Sequence, residues 1–182
     1  MTNINRIFFD IDETLISTSV VDPNQDCFPF SLENDPTAYY TIVRPCAQRL
    51  IDFARSLVGK ENVHILTVAT RDYARKVNEL AGWGFNNEDI FAREDIESHS
   101  HTIVGAYSHS SLVVDPHIYA HPKNVIIDNL PKAYNSGKIG FIGIWNNLEN
   151  YLQIEDYLGV NSPECTFEAD VKDFLSKGLA EN

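Results

Sequence analysis

The chain has 182 residues, 43% of them hydrophobic and 22% charged, with a formal net charge of −12. That length suits a single domain with a real core, and no run of about 18 apolar residues suggests a membrane span. So acidic a chain, without a Lys/Arg cluster to offset it, is a poor partner for nucleic-acid phosphates, and an anionic substrate would need a metal ion or a few well-placed cations.

The opening MTNINRIFFD goes almost directly into an apolar strand over 6–10, without the basic start and cleavage site of a secretory signal, which predicts a cytosolic protein. That strand ends in two aspartates, Asp10 and Asp12, with Thr14 two residues further on. While strand geometry lasts, the two carboxylates share one face about 7 Å apart, a costly arrangement unless a cation lies between them. The alternative for an isolated D-x-D is a strand running into a polar turn. Residues 16–43 carry Pro23, Pro29 and Pro36, then the β-prone AYYTIV, which predicts a loop and a short antiparallel flap. A helix follows Pro45, with Ala47, Leu50, Ile51, Ala54, Leu57 and Val58 at helical spacing. The second strand is NVHILTV, 62–68, and a second helix is marked by Tyr73, Val77, Leu80 and Ala81, ending near Gly82 and Gly84.

Residues 85–121 are less regular, with a candidate hairpin in TIVGAYSHSSLVV and five of the six histidines, His99, His101, His109, His117 and His121. Pro116 and Pro122, an absence of cysteines and the scattered spacing favour a polar surface segment over a transition-metal site. NVIIDN, 124–129, reads as a buried strand and IGFIGIW, 139–145, as the next; helical segments are expected around 147–158 and 166–179. Cys27, Cys46 and Cys165 are odd in number, widely spaced and without C-x-x-C pairing, so reduced thiols are expected. Alternating strands and helices imply an α/β protein, a parallel sheet covered on both faces. Ligands of such sheets bind beyond the carboxyl ends of the strands. Those ends hold Asp10, Asp12 and Thr14, then Thr67, then Asp128 and Asn129, a set of hard oxygen donors suited to Mg²⁺.

These residues resemble the haloacid dehalogenase superfamily, and within it the FCP and small C-terminal-domain phosphatases. DIDETL at Asp10–Leu15 is similar to that branch's DLDETL, and Arg44–Pro45 before a helix to its RP. LTVATRDYA at 66–74, Trp83–Gly84, IFARED at 90–95, VIIDNLPKAY at 125–134 and Trp145 follow in the same order. The resemblance spans roughly residues 6 to 158. It implies a Rossmann-like fold with a central parallel sheet flanked by helices, one domain over 1–182, a β flap at about 16–43 and a cap-like segment at about 96–121.

The implied activity is a Mg²⁺-dependent phosphomonoesterase. Asp10 would attack phosphorus to give an aspartyl-phosphate, Asp12 would serve as general acid and then general base, and Thr67 would hydrogen-bond a phosphoryl oxygen. Mg²⁺ would be held by Asp10, the main-chain carbonyl of Asp12, Asp128 and Asn129. Thr14, which would orient Asp12 or the loop, together with Arg71 and Lys132, are the substrate-binding candidates. The branch also implies a lysine well before the third acidic motif, and no lysine lies between Lys76 and Lys123 here; Lys123, Lys132 and Arg93 are the substitutes available, and a histidine could serve with sharper pH dependence.

The expected partner is a phosphorylated substrate, either a phosphoprotein carrying phospho-Ser/Thr or a small phosphate ester such as a nucleotide or metabolite. A catalytically silent peptide-binding module is the alternative from another class. Substrate choice is expected to lie in 16–43 and 96–121, where Phe30, Tyr39, Tyr40 and Tyr107 either wall the entrance or pack the flap onto the domain.

Overall fold

The structure, a computed structural model, describes residues 4–98, 124–129, 151–159 and 166–177. Its elements in chain order are β1 (Arg6–Phe9), β2 (Ile16–Ser19), β3 (Phe28–Leu32), β4 (Asp35–Val43), α1 (Ala47–Val58), β5 (Val63–Leu66), α2 (Arg71–Ala81), β6 (Ile90–Phe91), α3 (Arg93–Ser98), β7 (Asn124–Asp128), β8 (Tyr151–Gln153) and α4 (Thr166–Lys177). Five strands form one sheet in the order β6-β5-β1-β7-β8, and every pairing in it is parallel. The buried apolar runs explain the arrangement: all four residues of β5 are buried, as are Ile7, Phe8 and Phe9 of β1, the pattern of strands covered on both faces.

One face of β1, through Ile7 and Phe9, joins a core with Leu50, Ile51 and Ala54 of α1, Ala74 and Val77 of α2, and Val171 and Leu175 of α4. Truncating a fully buried Leu50 to alanine would cost about 2–5 kcal/mol. Phe8 points to the other face, its ring 5.3 Å from that of His64, which in turn meets Phe91 at 5.4 Å. Helix α2 stops where the sequence predicts, because Gly82 takes φ 69° and its N–H closes onto the carbonyls of Asn78 and Glu79, a left-handed cap open to glycine at little steric cost.

The flap is more regular than a loop. Its three strands form an antiparallel sheet in the order β2-β4-β3. Pro29 is accommodated because β3 is an edge strand with β4 as its one partner in that sheet. Phe30 is buried and stacks on Tyr39 at 5.3 Å, while both rings approach Tyr73 of α2. Phe30 therefore packs the flap onto the domain, as the second of the two expectations for these aromatics has it.

Three expectations change. Residues 151–153 are a strand paired in parallel with β7, Ile126 opposite Tyr151 and Asp128 opposite Gln153, where the periodicity predicts helix. Leu148, Leu152 and Tyr151, Ile154, Leu158 do repeat at helical intervals, but pairing to the free edge of β7 satisfies the backbone of this segment and outweighs that local preference. Within the irregular 85–121, β6 and α3 are ordered elements. Cys46 is disulfide-bonded whereas Cys27 is free, so the reduced state expected for all three thiols is corrected at Cys46; spacing along the chain carries no information on what the fold brings beside a buried cysteine. The strand expected at 139–145, the histidine segment 99–121, Lys123, Lys132 and Trp145 lie outside the described residues. No described helix is long and apolar enough to cross a membrane.

Candidate active site

The site begins where β1 ends. The Asp10 N–H still donates to Ile127 O at 3.0 Å, so Asp10 leaves the sheet beside the end of β7, where Asp128 stands. From there the chain turns sharply: the carbonyl of Ile11 accepts from the N–H groups of Thr14, Leu15 and Ile16, and Glu13 takes φ 60°. A left-handed glutamate costs about 1–2 kcal/mol, and the surroundings hold it there. Tyr157 N–H donates to Glu13 O at 2.6 Å, and the Arg44 guanidinium donates to Thr14 O at 2.9 Å and to Glu155 O at 3.0 Å. Arg44 itself is buried against the rings of Phe167 and Tyr157, so it ties the turn to the C-terminal part of the chain. A lysine could not make that forked contact.

Asp10 is a strongly perturbed carboxyl group. Burial first, then the neighbouring charges of Asp128 and Asp12, push its pKa well above the usual carboxylate range, against hydrogen bonds from Thr14 and the Ile11 backbone. Asp12 is raised as well, by burial, with a bond from Tyr73 acting the other way. That bond is short, 2.5 Å from Tyr73 Oη to Asp12 Oδ1. Burial and the same carboxylate raise the Tyr73 phenol far above its normal range, so it is a neutral donor. Thr67, at the end of β5, is buried, with its N–H on Phe91 O and its Oγ1 accepting from Ala69 N–H at 3.1 Å. That leaves its hydroxyl proton for another acceptor.

The structure brings Asp10, Asp12, Thr67, Asp128 and Asn129 to one rim of the sheet, at the carboxyl ends of β1, β5 and β7. Thr14 does not fit its expected part in substrate binding. Its side chain is fully buried, donating to Asp10 Oδ2 at 2.9 Å with Asn129 Oδ1 at 3.2 Å, and accepting from Asn129 N–H at 3.1 Å. It braces Asp10 and Asn129 together and makes no bond to Asp12. Arg71 is also differently engaged: its guanidinium donates to the carbonyls of Asn87 and Ile90 and pairs with Asp95. These contacts staple the start of α2 to the segment around β6, and they supersede the substrate-binding expectation.

Tyr73, expected only as an apolar marker of α2, is the residue beside Asp12 that the sequence reading missed. Its partner Asp12 lies 61 residues earlier, and the sole local signal was the YA pair in RDYA. Beside Asp12 opens a groove of about 580 Å³, walled by Thr18, Val20, Leu32 and Tyr39 of the flap, by Asp72 and Tyr73, and by Arg93. Arg93 donates through Nε to Val68 O.

A divalent ion suits this donor set in one specific way. Asp10 and Asp128 repel each other strongly enough to raise Asp10, and a hard cation is what relieves such a pair. Among the described residues no group of three His, Cys, Asp or Glu side chains converges on a metal position. Asn129 is held for other purposes too: its amide donates to Glu13 and Asp156, and its Oδ1 faces Thr14, which leaves one lone pair on that oxygen.

Comparison with known proteins gives one family. The model of the family described as NLI interacting factor-like phosphatase matches residues 6–182. No curated protein matches the sequence. Among solved structures, the chain is similar to a variant of the fission yeast RNA polymerase II CTD phosphatase Fcp1 bound to beryllium fluoride, with 19% identity and a TM-score of 0.54 over 98% of this chain and 51% of that one. It is also similar to Fcp1 described as an essential RNA polymerase II CTD phosphatase, with 20% identity and a TM-score of 0.57 over 96% of this chain and 49% of that one. The chain thus spans about half the length of the structures it matches, and at these identities the likeness concerns the fold.

Proposed function

The chain belongs to the NLI interacting factor-like phosphatase family, and from that premise we propose that it hydrolyses phosphomonoesters through an aspartyl-phosphate on Asp10. The supporting observation is the placement of two differently held aspartates: Asp10 beside Asp128 at the ends of paired strands, and Asp12 turned onto Tyr73. Environment thereby separates the roles of two otherwise identical side chains.

Asp10 is the nucleophile. Asp12, raised by burial, gives its proton to the departing ester oxygen and then takes one from the attacking water. Thr67 donates to a phosphoryl oxygen. Asp10, Asp128 and the main-chain carbonyl of Asp12 would hold Mg²⁺, with Asn129 directly or through water; when bound, the ion offsets charge on the carboxylates and on the phosphoryl oxygens. Thr14 keeps Asp10 and Asn129 in register.

For the substrate we favour a phosphorylated Ser or Thr in a protein segment over a nucleotide or metabolite. The groove beside Asp12, about 580 Å³ in volume, has room for residues flanking a phosphoryl group, and the Fcp1 structures are of enzymes named for such a substrate. The test is turnover of phosphopeptides, nucleotides and sugar phosphates with and without Mg²⁺. Mg²⁺-dependent release of phosphate from the peptides supports the whole reading. Turnover of the small esters alone changes the substrate class, and no turnover of any ester leaves a binding module.

A further inference from the structure

The bond to Asp12 is one end of a chain of hydroxyl groups that begins in the flap. Thr41 Oγ1 and Thr18 Oγ1 are 2.7 Å apart across the β2–β4 pairing, where these two residues are directly opposite, and Thr18 Oγ1 lies 2.9 Å from Tyr73 Oη. Tyr73 Oη then reaches Asp12 Oδ1 at 2.5 Å. The direction of the chain follows from proton counting. Asp12 Oδ1 accepts whether the group is ionised or carries its proton on Oδ2, and a phenol has one proton, so Tyr73 donates to Asp12 and accepts from Thr18. Thr18, having donated, accepts from Thr41. All three hydroxyls therefore point their protons toward Asp12, the arrangement in which each bond polarises the next.

We propose that Tyr73 is the positioning residue for Asp12, and that the flap holds Tyr73 to this task through Thr18 and Thr41. The inference rests on the general-acid role proposed above for Asp12. With Oδ1 occupied by Tyr73, the proton Asp12 transfers sits on Oδ2. In the transfer step an Asp10 oxygen forms a bond to phosphorus as the bond from phosphorus to the ester oxygen breaks. The electron pair of that bond goes to the ester oxygen, which takes the Oδ2 proton as the alcohol leaves. Asp12 ends the step ionised, and a hydrogen bond to a carboxylate is roughly twice as strong as one to a neutral acid. The phenol thus holds Asp12 more tightly as the proton departs than before, which is the condition for an interaction to speed the chemistry. The rings of Phe30 and Tyr39, 5.9 and 6.1 Å from that of Tyr73, fix the phenol from the flap side. The flap is in this way part of the acid's support as well as a wall of the groove.

The test compares kcat/KM, which reports only steps up to phosphoryl transfer, on two esters: a phosphoserine peptide, whose alkoxide needs a proton to leave, and 2,4-dinitrophenyl phosphate, whose phenolate does not. Tyr73→Phe keeps the ring and removes the chain's last donor. The expected result is a loss on the peptide at least tenfold greater than on the aryl ester, the same pattern in smaller degree for Thr18→Val, and a double variant no worse than Tyr73→Phe alone because Thr18 acts through Tyr73. Equal losses on both esters, or additive losses in the double variant, would overturn the proposal. If Tyr73→Phe does not fold, as judged by its melting transition, Thr18→Val decides alone by the same ratio. Wild-type protein that turns over neither ester with Mg²⁺ present refutes the phosphatase reading and this inference with it, whereas a wild type active on both with an unchanged ratio in the variants refutes only the inference.

Discussion

Replacing Thr14 by valine removes one hydroxyl at nearly constant volume, so the change isolates hydrogen bonding from packing. The hydroxyl serves three groups: Asp10 Oδ2, Asn129 Oδ1 and Asn129 N–H. Without it the buried Asn129 N–H loses its acceptor, at about 1–3 kcal/mol, and Asp10 loses a charge-assisted bond of about 1.5–3 kcal/mol. Part of the second loss is recovered, because Asp10 is already raised by burial and by Asp128 and can meet the loss by holding a proton. The expected net destabilisation is about 3 kcal/mol, read by urea denaturation without metal. Thr14→Ser keeps the hydroxyl and forfeits a methyl group, worth about 1 kcal/mol. The valine variant should also lose most of its turnover, and the serine variant little. Valine and serine variants of equal stability would refute the brace.

Asp10→Asn should abolish turnover with the melting transition retained, since an amide of the same shape is no nucleophile; activity within tenfold of wild type would sink the assignment. Asp128→Ala should raise the Mg²⁺ concentration for half-maximal rate by at least tenfold, and an unchanged titration would remove it from the metal set. His64 is held neutral in the fold, its pKa lowered from 6.5 to about 4, first by burial, then by Arg6, with Asp89 opposing. The unfolded chain therefore binds the extra proton between those values, and stability from this group falls as pH drops below 6.5. The loss is about 2 kcal/mol at pH 5 and about 3 near pH 4. His64→Phe should gain on wild type by those amounts between pH 7.5 and pH 4 in denaturant titrations; a constant difference would show that His64 does not titrate this way.

How much of this could be read beforehand depends on the range of the interaction. β1, β5 and β7 are visible as apolar runs because both faces of each are buried, and α1, α2 and α4 as stripes because one face is. The acidic rim was legible for a topological reason: parallel strands bring their carboxyl ends together whatever lies between them, so Asp10, Thr67 and Asp128 could be grouped before any contact was known. Interactions without a period were not legible. β8 is three residues long and owes its conformation to the edge of β7. Thr14 and Asn129 are 115 residues apart, and Arg44 reaches Glu155 across 111. Arg71 looked free to face the substrate because the helix start at which it sits was predictable and the carbonyls of Asn87 and Ile90 that capture it were not.

Asp10 and Asp12 are held by neutral donors. Thr14 and the Ile11 backbone serve Asp10, and Tyr73 serves Asp12; among the described residues no Lys or Arg pairs with either. Burial raises both groups, and neutral donors, which orient a carboxylate without cancelling its charge, offset only part of that rise. A fixed cation at hydrogen-bond distance would reverse this, lowering Asp10 and leaving less for a metal to neutralise. The positive charge that a phosphoryl group requires must come from outside the donors seen around Asp10 and Asp12. Arg93 lines the same groove as Asp12. Its Nε is fixed on Val68 O, which sets the guanidinium at the groove and leaves its terminal nitrogens as donors. A cation on the groove offsets part of the repulsion that two raised but still acidic groups, in a chain of net charge −12, exert on any anion that approaches.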